Sequence, residues 1–203
     1  MNIQINRNLA GELLAADKRG CLGLFMEVVY HGSREKGLKQ IKKHTSTHQK
    51  ECVYAVDNEV IALLFASNEN CNGDYDYSIG CADGIPYIVE RWPGILNKIY
   101  TTQASLYKLD GKNFNHYDYL WQPEVISFFD EPVLEEIEIE NVLKKLRIFQ
   151  NEGRLKIYDY PNRPDDIPMD NSDLIENAKL FESMGIKGAE EQLYKLYPQL
   201  RGN

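Results

Sequence analysis

A histidine and a glycine stand together at the end of an apolar run, in the segment Tyr30-His31-Gly32-Ser33. A histidine at a strand end can donate a ring hydrogen bond to a ribose hydroxyl. The glycine has no Cβ, so the carboxamide of a flat ring can approach the backbone closely. These four residues predict a pocket for nicotinamide. The alternative is a structural histidine in a strand-to-loop turn, because histidine is often half-buried without binding a ligand.

Two aromatic residues further along the chain could complete such a pocket. Tyr54 lies in the short segment Val53-Tyr54-Ala55, and Phe65 lies late in the helix predicted to follow it. Stacking on aromatic faces favours binding of a pyridine ring. The alternative is that both rings belong to the hydrophobic core, because Phe65 falls on one helical face with Ile61 and Leu64.

A carboxylate is the third group that this chemistry needs. The best match is Glu124, which opens a predicted strand, and its nearby competitors are Glu131, Glu135 and Glu136. A carboxylate in a water-poor cleft can stabilise positive charge at the ribose C1′ while the base departs. For each of these glutamates the alternative is an ordinary solvated surface charge.

The order of these motifs resembles the H-Y-E class of ADP-ribosyltransferases, which includes the diphtheria-toxin and poly(ADP-ribose) polymerase branches. The resemblance covers roughly residues 28–130. His31 matches the histidine of the first motif, Tyr54 the tyrosine of the second, and Glu124 the glutamate of the third. Phe65 stands where the family often has a second stacking tyrosine, so the ring is kept and the hydroxyl is lost.

The resemblance implies split antiparallel β-sheets around an NAD cleft, with flanking helices. It also implies NAD as the substrate and an unknown protein or nucleic acid as the acceptor. The catalytic residues would be Glu124 and His31, and NAD would be bound by Tyr30, His31, Gly32, Ser33, Tyr54 and Phe65. A catalytically inactive NAD- or nucleotide-binding or protein-interaction module of the same fold is the alternative.

The elements that must position these residues are mainly strands. The patterns predict strands over 24–30, 51–56, 77–81, 85–91, 104–109, 124–129, 133–139 and 154–160, and helices over 7–18, 57–66, 141–151, 172–184 and 187–196. Strands that arrive in runs between helices predict an α+β fold. We predict a domain over 1–160 that begins with a helix, followed over 161–203 by a Pro/Asp-rich linker and a helical tail.

Composition narrows the classes of partner and compartment. The chain has 203 residues and a formal net charge of −8, which disfavours nucleic acid or an anionic membrane as a default partner. No apolar run approaches the length of a membrane span. Dispersed cysteines and the absence of a signal-peptide pattern predict a cytoplasmic protein. His44 and His48 have metal-ligand spacing, but the Thr-Ser-Thr between them disfavours a helix, so we predict no metal site.

Overall fold

The computed structural model describes residues 27–45, 50–66, 75–118, 120–183 and 185–202. These residues form an α+β fold, as predicted, with a curled antiparallel sheet and a smaller second sheet. The predicted helix over 7–18 lies outside the described residues.

The strands of the described chain are β1 (Val28–Ser33), β2 (Gln40–Ile41), β3 (His44–Thr45), β4 (Glu51–Val56), β5 (Tyr77–Ala82), β6 (Ile85–Glu90), β7 (Ala104–Asp110), β8 (Glu124–Ser127), β9 (Glu131–Ile139) and β10 (Lys156–Tyr158). The α-helices are α1 (Glu59–Leu64), α2 (Ile95–Ile99), α3 (Val142–Asn151), α4 (Asp173–Ser183) and α5 (Ala189–Leu196).

Seven strands form the main sheet, in the order β2-β9-β7-β1-β4-β3, with β8 also paired to β4. All of its pairs are antiparallel. The second sheet has the order β10-β6-β5, and its β5–β6 hairpin turns at Asp83 and Gly84. Both turn residues have positive φ, of 53° and 76°, which confirms the hairpin that the Asp-Gly pair predicts.

Two predicted boundaries in the first third of the chain are wrong. We predict that Gly32-Ser33 ends the first strand, but β1 continues through both residues because β7 pairs with it as far as Ser33 and Ser105. The segment 34–50 is predicted as irregular, yet it contains β2 and β3. These two-residue strands exist only through their partners β9 and β4, and strands this short leave no pattern in the sequence.

Helix α1 is the centre of the main hydrophobic core. Asn58 caps it by accepting hydrogen bonds from the amides of Val60 and Ile61, as the predicted cap at Asp57 or Asn58 allows. Every residue from 60 to 64 is buried. The helix packs against the main sheet, α3 and β6, so it needs no polar face. We call the side of the main sheet that α1 covers the helix face.

The opposite face of the main sheet has its own smaller core. Its buried residues are Val29, Ile41, Val53, Ala55, Tyr107, Leu109, Phe114 and Val125. They come from β1, β2, β4, β7 and β8 and from the turn after β7. Because side chains alternate along a strand, β1 and β4 contribute to both cores.

The C-terminal helices pack on the rest of the chain. Tyr75 shares a buried cluster with α4 and α5, and its hydroxyl donates to the carbonyl of Ala189 over 3.0 Å. The rings of Trp92 and Tyr197 stack with centroids 4.1 Å apart. Within the described residues, no helix has the length and apolar character to cross a membrane.

Candidate functional site

Backbone pairing between β1 and β4 stops where the predicted site residues lie, and we call this unpaired stretch the gap. Within the described chain they pair at Tyr30 and Val56 alone, although β1 runs on to Ser33 beside β7. Past this pair, His31 Nδ1 lies 2.8 Å from the carbonyl oxygen of Tyr54. A side chain therefore joins the two strands where backbone pairing has stopped.

The bond to Tyr54 fixes how the His31 ring can act. A carbonyl oxygen can only accept, so Nδ1 carries the hydrogen, and Nε2 of the neutral ring keeps its lone pair. Burial lowers the pKa of His31, His44 adds to this by charge repulsion, and the bond to Tyr54 opposes it. His31 is thus held neutral near pH 7, with Nε2 able to accept a hydrogen bond from a hydroxyl.

Gly32 lies on the helix face, directly under α1. A Cβ built on this glycine would lie 1.9 Å from the carbonyl oxygen of Ala62 and 2.8 Å from its carbonyl carbon. From the sequence, we explain this glycine by the close approach of a nicotinamide carboxamide to the backbone. The structure gives it a second reason, because α1 can approach β1 so closely only when the side chain is absent.

Tyr54 and Phe65 lie on the same side of β4 and belong to different clusters. Tyr54 packs against the buried side chains of Cys52, Leu120 and Ile126, and its ring is tilted against that of His44 at 5.7 Å. Phe65 is half-buried and packs against the main core. Its ring meets Trp121 edge-on, with centroids 6.3 Å apart.

Glu124 opens β8, as predicted, and its side chain is only 1% exposed. It pairs with Val56, which pairs in turn with Tyr30. Residues opposite one another in a sheet share a face, so Glu124 lies on the helix face with Gly32. Its Oε2 accepts a hydrogen bond of 3.2 Å from the amide of Trp121.

The structure brings some of the predicted residues together and separates others. Tyr30, Gly32, Tyr54 and Glu124 share the helix face by strand alternation. His31 pairs with Tyr107 on β7, so its ring starts from the opposite face and reaches into the gap beside β4. Ser33 lies on that same opposite face, and its hydroxyl accepts a bond of 3.1 Å from the amide of Glu35.

The competing glutamates have other partners. Glu131 is buried and accepts a hydrogen bond from the Ser127 hydroxyl. Glu135 forms a 2.5 Å ion pair with Lys108. Both carboxylates thus belong to β9 and are already bonded to side chains of β8 and β7.

Glu136 holds the loop that follows His31. Its carboxylate accepts from the amide of Gly37 at 2.9 Å and from the Ser105 hydroxyl at 2.7 Å. The same oxygen lies 3.0 Å from the Tyr107 hydroxyl. These bonds, with the amide of Gly37 first, lower the pKa of Glu136.

Three residues near Glu124 are not among the predicted site residues. The turn containing Trp121 covers the carboxylate. His116 Nδ1 lies 3.0 Å from the carbonyl oxygen of Glu124, and Asp57 follows the paired residue Val56. An aromatic residue and a histidine shortly before Glu124 were visible in the sequence, but their contacts depend on how the chain turns back onto β8.

A cavity of about 440 Å³ lies elsewhere, against the second sheet. It is lined by Ile85, Gln150, Gly153, Leu155, Lys156, Ile157 and Tyr158. Its lining has no paired acid and base, so its size alone does not make it the candidate site.

Within the described residues, no group of three or more histidine, cysteine, aspartate or glutamate side chains could hold a metal ion. His44 lies in β3, whereas His48 lies outside the described residues.

No protein-family model, curated protein or solved structure matches this chain.

Proposed function

We propose that this chain is an NAD-dependent ADP-ribosyltransferase that modifies a macromolecular acceptor. The observation that carries the proposal is the gap between β1 and β4, bridged by His31 and Tyr54. A sheet that opens at a histidine and a glycine offers polar groups to a dinucleotide, since backbone groups no longer pair across the gap. The resemblance to the H-Y-E class predicts NAD binding at these same residues.

His31 has the protonation needed to hold a ribose. Its Nδ1 donates to Tyr54 over 2.8 Å, and its lowered pKa keeps the ring neutral. Nε2 can then accept a hydrogen bond from a ribose hydroxyl on the adenosine side of NAD. In this contact His31 accepts a hydrogen bond from the substrate, whereas from the sequence we expect it to donate one.

Glu124 would stabilise positive charge at C1′ while nicotinamide leaves. The carboxylate is buried on the helix face, and electrostatic stabilisation is stronger away from water. Tyr54 and Phe65 would supply aromatic faces for the pyridine ring. Because Glu124 is only 1% exposed, the proposal requires the turn at Trp121 to move aside when NAD binds.

A catalytically inactive NAD- or nucleotide-binding module of the same fold is the second candidate. The observation that favours it is the burial of Glu124, whose Oε2 is bonded to the Trp121 amide. If this turn stays in place, His31 and the aromatic residues can bind a nucleotide without any carboxylate at C1′.

The test is release of nicotinamide from NAD by the full chain and by two variants, Glu124→Gln and His31→Ala. We expect Glu124→Gln to slow release by about 10²-fold or more, the usual loss when a transition-state charge partner is removed. His31→Ala should weaken NAD binding as measured by calorimetry. Glu135→Gln is the matched control, because this carboxylate is exposed and bonded to Lys108, and it should leave release unchanged.

The outcomes separate the two candidates. Release that depends on Glu124 and not on Glu135 supports the transferase. NAD binding without release, weakened by His31→Ala, supports the inactive module. A folded wild-type chain that binds no NAD at millimolar concentration overturns both.

A further inference from the structure

His116 lies beside the residue to which we assign the charge at C1′. The segment before β8 folds back along that strand, since Asn115 and Ile126 exchange two backbone hydrogen bonds of 3.0 Å. This pairing brings the next residue, His116, alongside the start of β8. Its Nδ1 lies 3.0 Å from the carbonyl oxygen of Glu124.

The contact with Glu124 decides which nitrogen of His116 can accept a proton. The carbonyl oxygen accepts, so Nδ1 carries hydrogen, and Nε2 of the neutral ring has a free lone pair. His116 is exposed. In the part of the chain that the structure describes, Nε2 has no hydrogen-bond partner. Nε2 of His116 can therefore accept a proton from a molecule that binds at this surface.

Resting on the proposed function, we propose that His116 is the general base that activates a hydroxyl acceptor, with its ring held by the Glu124 carbonyl. The bond between C1′ and the nicotinamide nitrogen breaks, and its electron pair leaves with nicotinamide. The acceptor oxygen forms the new bond to C1′, and its proton passes to Nε2 of His116 and then to solvent.

The presence of a base defines the class of acceptor. A hydroxyl group, as in serine, threonine or a sugar, must lose a proton as it attacks. A carboxylate or phosphate is already an anion and needs no base. The arrangement at His116 therefore favours a hydroxyl acceptor over an acidic side chain.

The test compares acceptors that do and do not carry a proton. The full chain is incubated with NAD in water, with added methanol, and with added azide, and the ADP-ribosyl products are separated by chromatography. His116→Asn is the main variant, because the asparagine amide can still donate to the Glu124 carbonyl but cannot act as a base. Asp118→Asn is the control, an exposed residue on the segment of His116.

We expect His116→Asn to lower transfer to water and methanol by about 10²-fold, the lower range for loss of a general base. Transfer to azide should be unchanged, because azide attacks as an anion. Asp118→Asn should produce no loss with either acceptor.

Two results overturn the assignment of His116. An equal loss with methanol and azide would show that the residue only supports the local structure. No loss with either acceptor would show that it takes no part. A wild-type chain that releases no nicotinamide with any acceptor, azide included, instead contradicts the transferase itself, and the base is rejected with it.

Discussion

Arg91 is buried and His31 is half-buried, and the groups around the two side chains differ. The guanidinium of Arg91 donates to Ser78 at 2.9 Å, to Asn171 at 3.2 Å, and to both oxygens of Asp173 at 2.7 and 2.5 Å. The chain itself satisfies this charge. His31 uses one ring nitrogen for Tyr54, and its other nitrogen has no bond within the described residues.

This difference indicates that Arg91 stabilises the fold, whereas His31 can bind a ligand. Each of the three guanidinium nitrogens of buried Arg91 already has an acceptor in the chain, and the charge links the residue after β6 to helix α4. His31 at the edge of the gap uses one ring nitrogen for Tyr54, so its other nitrogen can accept a hydrogen bond from a ligand. Substitutions at Arg91 should therefore change stability, and substitutions at His31 should change binding.

The largest effect is expected at Arg91. Arg91→Ala removes a buried guanidinium that bonds Ser78 and Asn171 and neutralises the charge of Asp173, and should destabilise the fold by about 3–5 kcal/mol. Urea unfolding followed by circular dichroism measures the loss. Arg154→Ala is the control, because the Arg154–Glu59 pair is 43% and 29% exposed, and it should cost no more than about 1 kcal/mol. Equal losses of stability in Arg91→Ala and Arg154→Ala would show that the buried Arg91 contributes no more to the fold than a surface ion pair does.

Gly32→Ala should have the second largest effect. Its Cβ would meet the Ala62 carbonyl at 1.9 Å, and the backbone of α1 must shift to relieve this contact. Overpacking of this kind costs about 1–3 kcal/mol. Ser33→Ala on the same strand is the control and should stay within about 0.5 kcal/mol. A fully stable Gly32→Ala variant would show that α1 is free to move from β1.

Stability should depend on pH through His31. Its pKa is lowered in the folded chain, so the unfolded chain takes up a proton first as the pH falls below the ordinary value of 6.5. The folded state then loses stability relative to the unfolded state. Unfolding midpoints of wild type and His31→Gln, measured from about pH 8 to pH 5, should converge on acidification. A difference in unfolding midpoint that stays constant across this range contradicts a lowered pKa of His31.

Glu136 should show the smallest effect, in a more acidic window. Its pKa is lowered from an ordinary value of 4.5, so its contribution is present above that pH and is lost as the pH falls through the folded-state value. Glu136→Gln should speed hydrogen exchange of the Gly37 amide at neutral pH. Glu138→Gln, whose side chain is 64% exposed, should not. Unchanged exchange in Glu136→Gln would mean that the loop after His31 is held by other contacts.

Much of the fold could be predicted because its signals are local. The Asp83-Gly84 turn, the Asn58 cap and the apolar strand β4 each follow from residues adjacent in sequence. The strands β2 and β3 could not be predicted, because a two-residue strand is stabilised only by a distant partner. The end of β1 was predicted too early for the same reason, since pairing with β7 outweighs the turn preference of Gly32.

The candidate site shows the same division between features set by neighbouring residues and features set by distant ones. The residue types of the candidate site, and the position of Glu124 at a strand start, could be inferred from the sequence. The face on which each side chain lies could not, because it depends on the register of three strands that meet at Tyr30, Val56 and Glu124. Nor could the contacts of Trp121 and His116, which depend on the return of the chain onto β8.

By itself, the sequence determined which strands and helices form and which chemical groups they carry, because alternation, caps and turns act between near neighbours. Only the tertiary structure decided that β1 and β4 pair at a single position, that His31 bridges them, and that every guanidinium nitrogen of Arg91 has an acceptor. These features arise from contacts between residues far apart in the chain, and their free energy depends on packing that no short segment contains.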